Sequence, residues 1–110
     1  MTDAQSAVSE FFDATNRGDS AALLATFQNS AILYNADEGT YAGITEIKRW
    51  DDKEYIGANC RVEVVKTTVT GKGQVIAEGD TRGDFPGNRI TLYFLFTVTN
   101  DKIAELTMHS

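Results

Sequence analysis

Arg89-Ile90-Thr91-Leu92-Tyr93-Phe94-Leu95-Phe96-Thr97-Val98-Thr99 is the stretch that decides the fold. In an extended chain alternate side chains point to opposite faces, so Ile90, Leu92, Phe94, Phe96 and Val98 share one side, and Thr91, Tyr93, Leu95, Thr97 and Thr99 the other. The first face is fit for a core and is expected to lie against helices. The second mixes hydroxyls with Tyr93 and Leu95, between a solvated face and a subunit interface, and predicts a homodimer. The same period of two extends on both sides. Strands are expected over Arg61 to Thr70, Gln74 to Arg82 and Lys102 to Met108, separated by Gly71-Lys72-Gly73, by Gly83-Asp84-Phe85-Pro86-Gly87-Asn88 and by Asn100-Asp101.

Upstream of Gly57 the period is that of helices. Thr2-Asp3-Ala4-Gln5 fits a capping box, and Val8, Phe11, Phe12 and Thr15 follow on one helical face until Asn16-Arg17-Gly18. Asp19 is expected to cap a second, shorter helix with Leu23, Leu24 and Phe27 as its apolar face and Asn29-Ser30 as its close. Ala31 to Tyr34 reads as a strand, Asn35 to Gly39 as a turn and Thr40 to Ala42 as a brief strand. A third helix from Gly43 to about Tyr55 sets Ile44, Ile47 and Trp50 on one side. Helices followed by an antiparallel meander make an α+β fold, one domain over residues 1–110.

The chain has 110 residues, 42% apolar and 24% charged, the size of one ordinary domain. No apolar run approaches the ~18–20 residues of a membrane span, and the first residues lack the basic-then-apolar layout of a secretory signal, so a cytoplasmic protein with no membrane partner is expected. Sixteen acids against ten bases give a net charge of −6, which repels phosphate backbones and argues against nucleic acid. A single cysteine, Cys60, and a single histidine, His109, cannot form a disulfide or a Cys/His zinc site. No metal or other cofactor is expected.

Phe11-Phe12-Asp13-Ala14 before Arg17-Gly18-Asp19, then Leu24 and Phe27, the Ala31 to Tyr34 strand, Tyr41-Ala42-Gly43-Ile44-Thr45-Glu46-Ile47 leading to Trp50, Gly87-Asn88-Arg89-Ile90-Thr91 and Asn100-Asp101-Lys102-Ile103-Ala104-Glu105 together resemble the nuclear transport factor 2-like superfamily, in particular its SnoaL-like, ketosteroid-isomerase-like branch. The resemblance runs from about Asp3 to His109. It implies a cone: three N-terminal helices packed on a strongly bent, mainly antiparallel sheet, open at one end to an apolar pocket and often dimerised through the outside of the sheet. Members include isomerases, polyketide cyclases, epoxide hydrolases and non-catalytic binding or scaffold domains, so the fold alone does not choose a function.

Carried onto this sequence, the resemblance puts the family's helix-one tyrosine at Phe11, its carboxylate base at Asn35 and its buried acid near Tyr93 or Phe94. An amide takes no proton at neutral pH and a phenyl ring donates no hydrogen bond. The acid-base set is therefore missing. Asp37 remains as a displaced base or as plain turn chemistry. Glu78, Asp80 and Arg82 share a sheet face, as a catalytic Arg–carboxylate clamp or as a solvent-side ladder of ion pairs. Phe12, Tyr34, Asn35, Trp50, Phe94 and Phe96 are the expected ligand-binding residues, with core packing as the competing account for the aromatics. Val75, Ala77 and Gly79 are small enough to leave room inside the cone. His109 reads as a proton shuttle or a frayed end, and Cys60 as an inert thiol. Three functions stay open: a module binding a small, mostly apolar molecule; an isomerase, cyclase or hydrolase using Asp37 or the Asp80/Arg82 pair; and a dimeric scaffold with a collapsed pocket. A cavity above ~300 Å³ with an ionisable group facing it separates them.

Overall fold

The computed structural model describes residues 3–110, so the Thr2–Gln5 capping box lies outside the described residues. Helix α1 (Asp3–Arg17) buries Ala4, Ala7, Val8, Phe11, Phe12, Ala14 and Thr15, the face its spacing predicts. It stops at Gly18, whose φ of +68° suits a residue without Cβ, and Asp19 N–H closes back onto the Ala14 carbonyl at 2.9 Å. The Asp19 carboxylate then caps α2 (Ser20–Ala25) by accepting from Ala22 N–H at 3.0 Å.

Here the structure corrects the sequence reading. Helix α2 ends at Ala25, where the Thr26 hydroxyl donates to the Leu23 carbonyl, and Phe27 begins strand β1 (Phe27–Asn35). Phe27 is buried as a strand residue, not as a helix face, and Asn29-Ser30 lie inside the strand rather than in a turn. The cause is tertiary: the Thr26 carbonyl is taken by Ile103 N–H at 2.8 Å, which draws the segment into the sheet.

After β1 the chain turns into β2 (Gly39–Ala42) and α3 (Ile44–Glu54). Gly43 offers no side chain to cap α3, but the Glu46 carboxylate reaches back to Ala42 N–H at 2.8 Å. A single 3-10 turn (Ile56–Ala58) follows, then strands β3 (Arg61–Gly71), β4 (Gln74–Arg82), β5 (Arg89–Thr99) and β6 (Lys102–His109). They form one six-stranded sheet in the order β2-β1-β6-β5-β4-β3. Every pairing is antiparallel except β1 with β6, which joins the two halves of the chain. Irregular register in β1, β3 and near Thr97/Val98 inserts extra residues, and such bulges increase the bend of a sheet. The three helices lie on its concave face.

Phe94, Phe96 and Val98 face the helices and are buried as β5 predicts, while Leu92 is half-buried and Ile90, nearer the open end, is 36% exposed. Phe11 sits at the centre of an aromatic cluster, with ring centroids 5.1 Å from Phe12, 5.2 Å from Phe96 and 6.1 Å from Phe94, all in edge-on geometry. The room expected around Val75, Ala77 and Gly79 is not present. Val75 and Ala77 are fully buried, and a Cβ on Gly79 would strike Val62 and the Phe94 ring.

Candidate functional site

What remains of the cone's interior is a cavity of about 230 Å³ at its open end. Trp50, Tyr55, Cys60, Leu92 and Met108 line it deep down, and Asn35, Asp37, Glu38, Lys53, Glu54, Asp84 and Phe85 line its mouth. The floor is a stack. Trp50 lies on Tyr55 with centroids 4.7 Å apart and planes at 16°, and Tyr55 lies in turn on Phe11 at 5.7 Å. The Tyr55 hydroxyl shares a hydrogen bond of 2.8 Å with Thr15, which also donates to the Phe11 carbonyl at 2.9 Å. Burial drives the Tyr55 phenol far up from its ordinary range, so it stays neutral.

The mouth is set by two turns. In the β1–β2 turn the Asn35 side chain accepts from Asp37 N–H and donates to the Glu38 carboxylate, each at 3.0 Å. At the end of α3 the backbone doubles back so tightly that a Cβ on Gly57 would collide with the Asp52 carbonyl. On the last turns of α3, Glu54 and the Trp50 indole both interact with Glu38. Glu38 is pushed up to about 7. Partial removal from water is the largest cause, although the residue as a whole stays exposed; the neighbouring Glu54 carboxyl raises it further, the Trp50 indole opposes it, and Asp37 adds a little. A carboxyl such as Glu38, poised near neutrality, can donate or accept a proton.

Asn35, Asp37 and Trp50 are thus brought to one cavity. Phe94 and Phe96 lie below it in the core, and Phe12 sits between that core and an open groove of about 800 Å³ along α1 and β3. That groove is larger than the cavity and mixes Val8, Val62 and Val64 with polar side chains including Asp13 and Glu63. Tyr34 projects from the convex face, because its neighbour Leu33 takes the concave side. Asp80 and Arg82 are also on that convex face, and Asp80 is held by Arg89 through two bonds of 2.9 and 2.8 Å, which lower its carboxyl further. His109 stacks on Tyr93 across β5 and β6 at 5.3 Å. Burial pushes the Cys60 thiol up to about 11, against a smaller opposing effect of Arg61. The buried Asp51 carboxyl, raised chiefly by burial, accepts from Ile56 N–H and stands apart from the cavity lining. Among the described residues no three His, Cys, Asp or Glu side chains gather closely enough to hold a metal ion.

Sequence reasoning missed Glu38 and Glu54. The signal was available for one of them: Glu54 follows Trp50 by one helical turn and therefore shares its face.

A family model described as SnoaL-like domain matches residues 8–106. Comparison with curated proteins gives no match. Among solved structures, a candidate polyketide cyclase from Sinorhizobium meliloti is 29% identical with a TM-score of 0.86, covering 94% of each chain. A Δ5-3-ketosteroid isomerase from a Mycobacterium species is 15% identical with a TM-score of 0.84 over 100% of this chain and 94% of its own. A Mycobacterium tuberculosis protein in complex with estradiol-17β-hemisuccinate is 13% identical with a TM-score of 0.87 over 100% and 95%. The last two likenesses concern the fold. With the cone, the helix order and the matched residues in agreement, the chain belongs to the SnoaL-like domain family.

Proposed function

We propose that the chain binds a small, mostly apolar molecule in the cavity between α3, the β1–β2 turn and the β4–β5 loop. The observation that carries this is a cavity with an aromatic and aliphatic floor and a few convergent polar groups at its mouth, the usual build of a small-molecule site. At about 230 Å³ it falls below the ~300 Å³ divide drawn from the sequence, so the reading is confined to a ligand of one or two rings. A neighbour of the same fold, in complex with an estradiol derivative, supports small-molecule binding as the reading. Trp50 is the single tryptophan and lines the cavity, so its fluorescence is a probe of occupancy there. Small aromatic ligands should shift it, and Ala58→Leu, which fills the mouth, should abolish the shift. An undiminished shift in that variant would put the ligand elsewhere.

Steroid-isomerase activity is expected to be absent. Asn35 and Phe11 supply neither base nor oxyanion donor, and losing such groups removes ~10²–10⁴-fold and ~10²–10³-fold respectively. Isomerisation of a β,γ-unsaturated ketosteroid above background would overturn that. An enzymatic reading is supported by the Glu38 carboxyl, which lines the cavity and is raised to about 7, and it moves the base from Asp37 or the Asp80/Arg82 pair to Glu38. Turnover of any substrate that survives Glu38→Gln would exclude it.

We also infer a homodimer through the convex face, where Val65, Tyr34 and Leu95 are exposed beside Tyr93. Sedimentation at tens of micromolar, where weak association is populated, should give a dimer that Leu95→Glu dissociates.

A further inference from the structure

The β4–β5 loop contributes one ring to the cavity wall, the half-buried Phe85, beside the Trp50 and Tyr55 rings of the floor. Trp50 and Tyr55 are fixed by their stack on Phe11, whereas Phe85, among the described residues, meets no other ring and hangs from the loop alone. The loop is nonetheless built to hold it. Phe85-Pro86-Gly87-Asn88 has the residues and the closing bond of a type II β-turn: the chain's single proline stands second, Gly87 takes a φ of +86° third, and Asn88 N–H donates to the Phe85 carbonyl at 2.9 Å. Pro86 also steers the backbone of the residue before it, Phe85 itself, towards the extended region.

Two further bonds clasp the loop to the turn that follows α3. Asp84 N–H donates to the Ala58 carbonyl at 2.7 Å, and the Asn59 amide donates to the Asp84 carboxylate at 2.6 Å. Packing beneath the clasp leaves no slack, since a Cβ on Gly83 would stand 2.9 Å from the Phe85 ring, 3.0 Å from Cys60 Sγ and 3.1 Å from the Ala58 carbonyl oxygen.

We propose that Phe85 determines which ligands the cavity accepts: clasped in place, its side chain confines them to one or two rings, and without it the same site takes a polycyclic, steroid-sized molecule. This rests on the ligand-binding reading above and names what fixes the size class. The cavity holds about 230 Å³, and truncating one large apolar side chain opens on the order of 150 Å³ where the neighbours do not collapse, which carries the space into the ~300–1,000 Å³ range of drug-sized sites. The other large walls do not give that room. Trp50, Tyr55 and Met108 are buried in the core, so truncating them removes packing that holds the fold, while Phe85 stands at its edge. Asn59 lies outside the cavity lining and is a positioning residue, acting through the clasp.

The test uses two probes with the same phenol group, 5-indanol with two rings and estradiol with four, by equilibrium dialysis against the full chain. The parent chain should bind 5-indanol and hold estradiol at least about tenfold more weakly, and Phe85→Ala should reverse that order by a similar factor. Asn59→Gly keeps a residue that adopts the φ of +58° and removes only the amide, so it should move the ratio of the two affinities the same way by a smaller factor, and it carries the test if Phe85→Ala does not fold. A loss of packing alone would weaken both probes together and leave their ratio unchanged. Equal binding of the two probes by the parent chain, or an unchanged ratio in the variants, would overturn the proposal and leave the small-molecule reading standing. Binding of neither probe by the parent chain or the variants would overturn that reading and this inference with it.

Discussion

Beneath α1 the concave sheet is closed by Phe11 and Phe12 meeting Phe94 and Phe96 edge to face, with the Phe94 and Phe96 rings parallel to each other. At its other end, between the β1–β2 turn, α3 and the β4–β5 loop, the same sheet holds an open cavity under paired carboxyls. β4 and β5 serve both ends, with Phe94 deep and Leu92 and Ile90 towards the mouth. The difference teaches that side-chain size decides how much of a cone becomes a pocket. Rings at the base turn potential binding volume into core, and the column Trp50–Tyr55–Phe11 marks where one use gives way to the other.

The strongest way to break that contrast is to empty the base. Phe94→Ala, which truncates a fully buried ring, should destabilise the fold by ~3–5 kcal/mol in chemical denaturation. A loss under about 1 kcal/mol would mean that the base is no better packed than the mouth. Next in size, Gly57→Ala forces a methyl group against the Asp52 carbonyl and should cost about 1–3 kcal/mol, with an altered Trp50 emission because the turn that follows α3 must shift. At the boundary, Tyr55→Phe keeps the stack and the Thr15 bond to Phe11 but removes the phenol's hydrogen bond, for about 0.5–1.5 kcal/mol in a thermal melt.

The smallest effect belongs to the mouth and shows itself as a pH dependence. Glu38 takes up a proton more readily folded than unfolded, since its ordinary value of 4.5 is raised to about 7. Its contribution to stability is therefore present below pH 4.5 and lost as pH rises towards 7. Glu38→Gln should flatten the stability profile over that window and leave the variant the more stable of the two above it. A profile parallel to that of the parent chain would show that Glu38 is not raised in the folded state.

Much of the fold was legible because it rests on local chemistry. Period-two alternation marked β5, Gly18 and Asp19 marked the break between α1 and α2, and the Gly-rich separators marked the hairpins. The error at Phe27 arose because a residue that is apolar and follows a helix reads as its last turn, while the bond from Ile103 N–H to the Thr26 carbonyl comes from the far end of the chain. Asn35 was legible as a site candidate through the family resemblance, Asp37 as the acid nearest to it and Trp50 as an aromatic with a polar handle, and each borders the cavity. Asp80 and Arg82 share the face that their spacing implies, but the partner of Asp80 is Arg89 on the next strand. No spacing within β4 reveals that.

By itself the sequence determined the order and type of the elements, the apolar face of β5 and the absence of a carboxylate at position 35, because propensity, alternation and residue chemistry act over a few neighbours. Only the tertiary structure decided which aromatics fill the cone and which border its cavity, and only it brought Glu38 against Glu54. A shifted proton affinity depends on distance in space and on exclusion of water, and the two turns that create both are set by packing between segments far apart in the chain.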